Sequence, residues 1–186
     1  MSVTAAELAG SVREIGSLWK ADRAQRQSRR HLERGDFDLL REAGLLAAIA
    51  PVDAGGLWEG AESSFRPLCE VYRELAAADP SVALVSSMHA SVVAFWLASP
   101  DPSQPAWEEQ RRAVFASAAA GDQWGTITSE PGSGGDIALT RAVAKPHDAL
   151  GCIPGPTFTV TGDKHFGSGF GITDRMITTA FAEGES

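Results

Sequence analysis

Cysteine is nearly missing from this sequence: Cys69 lies in an apolar helical pattern and Cys152 in a Gly/Pro-rich loop. Neither belongs to a CxxC pair or has metal-ligand spacing, which argues against a disulfide framework or a cysteine zinc site. Reduced thiols in a cytoplasmic protein are expected. Positive charge is also short. The net charge is −8 and the sequence pI about 5.0, whereas nucleic-acid binders carry a basic surplus that neutralises phosphate. No apolar run reaches membrane-spanning length. The most apolar segment, residues 82–98, is broken by Ser86, Ser87, His89 and Ser91 and falls short of about 20 apolar residues. The N-terminal stretch MSVTAAELAGSVREIG lacks the basic start, apolar block and cleavage site of a secretory signal. No internal repeat is visible, and alanine runs at 76–78 and 118–120 are the only biased segments.

What is present is a chain of 186 residues, 44% hydrophobic, enough for one ordinary core or two small ones sharing an interface. Leu8, Val12, Ile15 and Trp19 recur at three- and four-residue steps, which predicts a first helix. The basic run Lys20, Arg23, Arg26, Arg29, Arg30 and Arg34 is interleaved with Asp22 and Glu33 and reads as a solvated face or a subunit contact. Asp36 can cap a short helix carrying Phe37, Leu40 and Arg41, with Gly44 at a left-handed stop.

Residues 62–78 predict a helix that buries Phe65, Leu68, Cys69, Tyr72, Leu75 and Ala76, with Pro67 near its first turn. Asp79 followed by Pro80 opens an apolar helix over 81–98, because a carboxylate caps well and proline suits the first helical position. Pro100, Asp101, Pro102 and Pro105 form a turn, and Trp107, Arg111, Val114 and Phe115 mark a further helix over 107–119. After Gly121 the texture changes to Thr, Ile, Val, Phe and Gly, with WGTITS, TFTVTG and RMITTAFA as strand signatures. The tryptophans at 19, 58, 96, 107 and 124 show no stacking ladder and read as core residues. Helices followed by strands predict an α+β chain with a helical domain over 1–122 and a β domain over 123–186.

The segment from Thr128 to Asp136, T-S-E-P-G-S-G-G-D, joins a strand to a glycine-rich loop with small hydroxyl side chains. Such a loop lets backbone N–H groups approach an anion or a heteroaromatic edge. It matches neither a Walker A loop nor a GxGxxG fingerprint. Glu130 and Asp136 read as structural, Glu130 as a backbone or arginine partner and Asp136 as a loop cap.

Ser129, Glu130, Pro131, Gly134 and Asp136 resemble the signature of the acyl-CoA dehydrogenase family, Thr-Glu-Pro, two residues, then Gly-Ser-Asp. The stretch from Val160 to Gly169, V-T-G-D-K-H-F-G-S-G, resembles that family's next motif, where a strand ends in Gly-x-Lys and an aromatic precedes a hydroxyl by two. Upstream, REAGLLAAIAPVDAGGL resembles the helix, apolar strand and Gly-Gly loop of its N-terminal domain, and AAADPSVAL the start of its central helix. The four matches occur in family order.

The resemblance implies an all-α N-terminal domain, then a partial β-barrel-like flavin-binding domain, with the family's C-terminal four-helix domain absent from this sequence. It implies FAD, with FMN as an option. Thr126, Thr128 and Ser129 would meet the flavin's pyrimidine edge, Phe166 and Ser168 would flank the central ring, and Gly134 and Gly135 would lie by the phosphates. Hydroxyl donors around that edge tune a flavin's redox potential. Ser129 stands for the usual threonine, Phe166 for a frequent tryptophan, and Gly135 for a phosphate-holding serine; either Ser133 compensates for that serine or cofactor affinity is lower.

The activity implied is CH–CH oxidation of an acyl thioester such as acyl-CoA. No residue of this chain matches the carboxylate base by motif, so a homo- or hetero-oligomer with a chain supplying the C-terminal helical domain is expected. Two alternatives stand beside it: a reduced-flavin-dependent monooxygenase half, which the KHFGSG stretch also resembles, and a non-catalytic fragment or accessory subunit. His89 is a catalytic candidate in the monooxygenase reading. On residues alone, a single histidine on an apolar helix is a satisfied core residue. His165 is expected to point away from the side shared by Phe166 and Ser168.

Overall fold

The computed structural model describes residues 3–98, 105–133, 135–147 and 155–184. Helices come first: α1 Ala5–Ala21, α2 Arg23–Ser28, α3 Arg34–Glu42, α4 Ala61–Ala78, α5 Pro80–Phe95 and α6 Pro105–Ala119. Five short strands follow: β1 Trp124–Thr126, β2 Val143–His147, β3 Thr157–Thr161, β4 Arg175–Ile177 and β5 Phe181–Ala182. The order is the α+β arrangement expected, with helix giving way to strand between Ala119 and Trp124. The turn expected at 100–102 lies outside the described residues, and so does Cys152.

Local signals explain where α1 and α5 begin. Thr4 and Glu7 form a reciprocal capping box at the start of α1, and Leu8, Val12, Ile15 and Trp19 form its buried stripe. At α5 the Asp79 side chain accepts from the Ser81 and Val82 N–H groups, with Pro80 in the first turn. Asp36, by contrast, is not a cap. Helix α3 starts at Arg34 with Glu33 before it, and Asp36 in its first turn takes two parallel hydrogen bonds from the Arg26 guanidinium, 2.9 Å each.

Arg26 therefore departs from the solvated face expected of the basic run. Its guanidinium is buried, bridges Asp36 and Asp79, and lies 4.1 Å from the Trp19 ring centroid. A buried cation requires such partners, because desolvation would otherwise cost on the order of several kcal/mol. The ion pairs tie α2 to the first turn of α3 and the cap of α5.

The burial of α4 also differs from the periodicity. Ser64, Val71, Leu75 and Ala78 face inward, and Phe65 and Cys69 are exposed. Two apolar stripes compete on this helix, and close packing against α1 selects the one with smaller side chains: an added Cβ on Gly16 of α1 would meet the Ala78 Cβ at 3.4 Å. Pro67 lies inside α4 rather than in its first turn.

The strands form two small sheets. β1 pairs in parallel with β4, Trp124 opposite Arg175 and Thr126 opposite Ile177. In the second, β2 is central, antiparallel to β3 and parallel to β5. The apolar run 45–50, expected as a strand, is instead a series of buried turns, joined to the following loop by a single bridge between Pro51 and Trp58.

Two apolar clusters make the core. One unites α1, α3, α4 and α5 with Ile172, and the other unites α5 and α6 with Trp124. The β segment thus inserts residues into both. Trp19 and Trp124 are core residues as expected. Trp96 and Trp107 are only half-buried and stack on each other at 4.4 Å between centroids, with Phe95 edge-on to both, a grouping that residue spacing did not reveal because α5 and α6 lie apart in sequence. Among the described residues no helix is long and apolar enough to cross a membrane.

Candidate functional site

The site is built outward from helix α5. His89 is wholly buried. Its Nδ1 accepts from the Trp124 backbone N–H at 3.0 Å, so the proton sits on Nε2, which donates to the Leu46 carbonyl at 2.7 Å. Desolvation pushes its pKa down to about 4. The ring is a neutral bolt between the central helix and β1, matching the core reading. Neither nitrogen is free for a bound molecule, so the structure gives no support to a catalytic role.

Beyond β1 the chain continues extended through Ile127, whose N–H donates to the Ile177 carbonyl at 2.9 Å. By the alternation of an extended chain, Thr126 and Thr128 share one side of this stretch and Ile127 takes the other. A loop over 162–174 crosses this extension at close quarters. A Cβ on Gly125 would come within 2.8 Å of Thr173 Cγ2, and one on Gly169, which has φ +83°, within 2.7 Å of Val85 Cγ1 on α5. Only glycine permits both approaches.

The two sequence motifs meet here. The His165 N–H donates to the Ser129 carbonyl at 3.0 Å. Lys164 Nζ lies 2.6 Å from Glu130 Oε1, with the two side chains 9% and 3% exposed. Lys164 also donates to the Thr179 carbonyl at 2.7 Å and contacts the Thr140 and Thr179 hydroxyls and the Thr128 carbonyl. Glu130 in turn accepts from the Thr140 hydroxyl and from the Arg141 and Ala142 N–H groups. Lys164 first, then Thr140, hold the Glu130 carboxyl down to about 2. Glu130 is thus structural as expected, but its nearest cation is a lysine; Arg141 stands 4.0 Å away.

Phe166 and Ser168 follow directly. Phe166 has φ +59°, the left-handed region that a bulky side chain avoids, and it is 79% exposed. Its ring lies 4.6 Å from that of His165. His165 therefore does not point away from Phe166: the chain here is a loop rather than a strand, and the left-handed residue breaks the two-residue alternation. Ser168 is half-buried, and its carbonyl oxygen would stand 3.5 Å from a Cβ placed on Gly125. Among the described residues the side-chain hydroxyls of Thr126, Thr128, Ser129 and Ser168 have no protein partner.

The glycine-rich loop is less complete. Gly135 is exposed with φ +89°, and Gly134 lies outside the described residues. Ser133 is not the substitute expected for a phosphate-holding serine. Its hydroxyl is buried, donates to the Glu130 carbonyl and accepts from the Gly135 N–H. Asp136 caps the following turn by accepting from the Ala138 N–H. No group of three metal-ligating side chains occurs among the described residues.

Sequence reasoning named Lys164 only as part of a motif and missed Thr140, Thr179 and the whole of β2. A lone lysine closing a Thr/Val strand was the one signal for them. A separate apolar groove of about 590 Å³ lies on the α4 side of α5, lined by Trp58, Phe65, Leu68, Tyr72, Ala90 and Ala94 among others. It shares no lining residue with the surface just described.

Three solved structures of TdsC from Paenibacillus sp. A11-2 are similar to this chain. The FMN-bound form matches with a TM-score of 0.72 at 21% identity. The complex with FMN and indole matches at 0.72 and 22%, and the structure described as dibenzothiophene monooxygenase at 0.68 and 20%. Each match covers 96% of this chain, which spans 40% of the other's length. At such identities the likeness establishes a shared fold. No protein-family model and no curated protein sequence matches the chain.

Proposed function

We propose that this chain carries the flavin-holding surface of a flavin-dependent oxidoreductase of the monooxygenase type, with FMN as the preferred cofactor. One observation carries the reading: the two motif stretches that hold Thr128, Ser129, Phe166 and Ser168 are pinned together through His165–Ser129 and Lys164–Glu130, with Phe166 exposed in a left-handed backbone beside them. Strain of this kind persists where the surroundings impose it, and such positions cluster at functional sites.

The residues fit a flavin. Thr126, Thr128 and Ser129 would donate along the pyrimidine edge, Phe166 would cover the ring and Ser168 would reach its centre, with Gly135 leaving room near a phosphate. A bound flavin supplies two-electron chemistry that no side chain here offers. The chain's own residues bind, orient and exclude water. FMN and the monooxygenase class are preferred to FAD and acyl-thioester oxidation because TdsC, a neighbour in fold, is described as a monooxygenase and binds FMN. Its indole complex makes a small heteroaromatic the first substrate class to try. The rest of the catalytic site, and any subunit contact, we place on polypeptide outside the matched region.

The test is titration with FMN and with FAD, followed by two assays of the flavin-loaded protein. Anaerobic acyl-CoA is added to one sample. The other is reduced and mixed with oxygen and indole. Transfer of one oxygen atom to the organic product without bleaching by acyl-CoA supports the proposal. Bleaching by acyl-CoA would install the dehydrogenase reading instead, and failure to bind either flavin would overturn both.

A further inference from the structure

Lys164 is a cation with 9% of its side chain exposed, yet its ammonium group meets three separate stretches of chain. These are the Thr128 carbonyl and Glu130 carboxylate beyond β1, the Thr140 hydroxyl before β2, and Thr179 between β4 and β5. An ammonium has three donors, so this geometry is shared among more acceptors than it can satisfy singly. The group stands where segments flanking the strands cross. The residues beside these partners in sequence are the candidate cofactor contacts: Thr128 and Ser129 on one stretch, Phe166 and Ser168 on the other. His165, next to Lys164, donates to the Ser129 carbonyl at 3.0 Å.

Buried ion pairs contribute little net folding energy, since desolvation offsets their attraction, and neutral replacements of similar shape are commonly tolerated. What such a pair can supply is a single register. Removing one partner alone is a different matter, because it strands an uncompensated charge.

We infer that Lys164, through Glu130, is a positioning residue that sets the distance between the two halves of the flavin surface, and that it governs flavin affinity rather than folding. The inference rests on the flavin reading above. Neither residue is a catalytic residue, and neither needs to touch the cofactor.

The experiment compares the chain with Glu130→Gln, Lys164→Met and the double substitution, each by thermal melting and by FMN titration read through flavin fluorescence and the bound absorption band. Each single change lowers both the melting temperature and the FMN affinity. The double variant, with no stranded charge, regains most of the melting temperature but keeps an affinity loss of about tenfold or more and an altered absorption band. A double variant that recovers both properties would reduce the pair to a structural role. One that fails to fold would show the pair to be required for folding. Either result overturns the inference while leaving flavin binding by the unaltered chain intact, whereas absence of binding by the unaltered chain removes the flavin reading itself.

Discussion

Among single residues, His89 carries the sharpest physical consequence. Its pKa of about 4 lies below the ordinary value near 6.5, because burial penalises the imidazolium. Between those values the unfolded chain binds more protons than the folded one. Stability from this group is therefore complete above about pH 6.5 and lost as pH falls toward 4, a total on the order of 3 kcal/mol. Melting temperatures measured across that range should fall with acid in the unaltered chain and fall less in His89→Gln, which can still donate and accept but does not titrate. Equal slopes would mean that the ring is not buried as a neutral bolt. Phe166 makes an opposite kind of prediction. A phenylalanine at φ +59° with 79% exposure carries strain without burial in return, so Phe166→Gly should raise stability by about 1 kcal/mol. The same change should weaken FMN binding, and a glycine variant that binds as well as the parent would remove Phe166 from the proposed site.

At the level of elements, α5 organises the molecule. Its N-terminus is fixed by the Asp79 cap and by Arg26, its middle by His89 to β1, and its flank by Tyr72, whose hydroxyl donates to the Ser86 carbonyl at 3.1 Å. The loop over 162–174 then docks on the same helix through Gly169 and Val85. Helix and loop thus meet through the Gly169 backbone against the Val85 side chain and through Ile172 in the first apolar cluster. A shift of α5 would move Trp124, and with it β1, which carries Thr126 and leads into Thr128.

For the whole molecule, the apolar surface left in contact with solvent decides behaviour. Phe158 and Val160 on β3, Leu84 and Phe95 on α5 and Phe65 on α4 are all exposed, and among the described residues β3 pairs with β2 alone. Exposed edges and apolar patches favour association. Sedimentation velocity of the isolated chain is therefore expected to show concentration-dependent self-association, and a monodisperse monomer at concentrations on the order of tens of micromolar would contradict that.

The amino-acid sequence determined what local physics controls: the buried stripe of α1, the Asp79–Pro80 start of α5, the change from helix to strand after Ala119, and the order of the two motifs. Periodicity and capping act over a few neighbouring residues, so they can be read from spacing alone. Tertiary structure decided which stripe of α4 turns inward, that Arg26 is buried, that His89 serves the fold, and that Lys164 meets Glu130. These pairings join residues 53, 35 and 34 positions apart. Nothing within either local stretch encodes the partner, because the energy of such contacts exists only once close packing has excluded water and forced each buried charge or donor to find its complement.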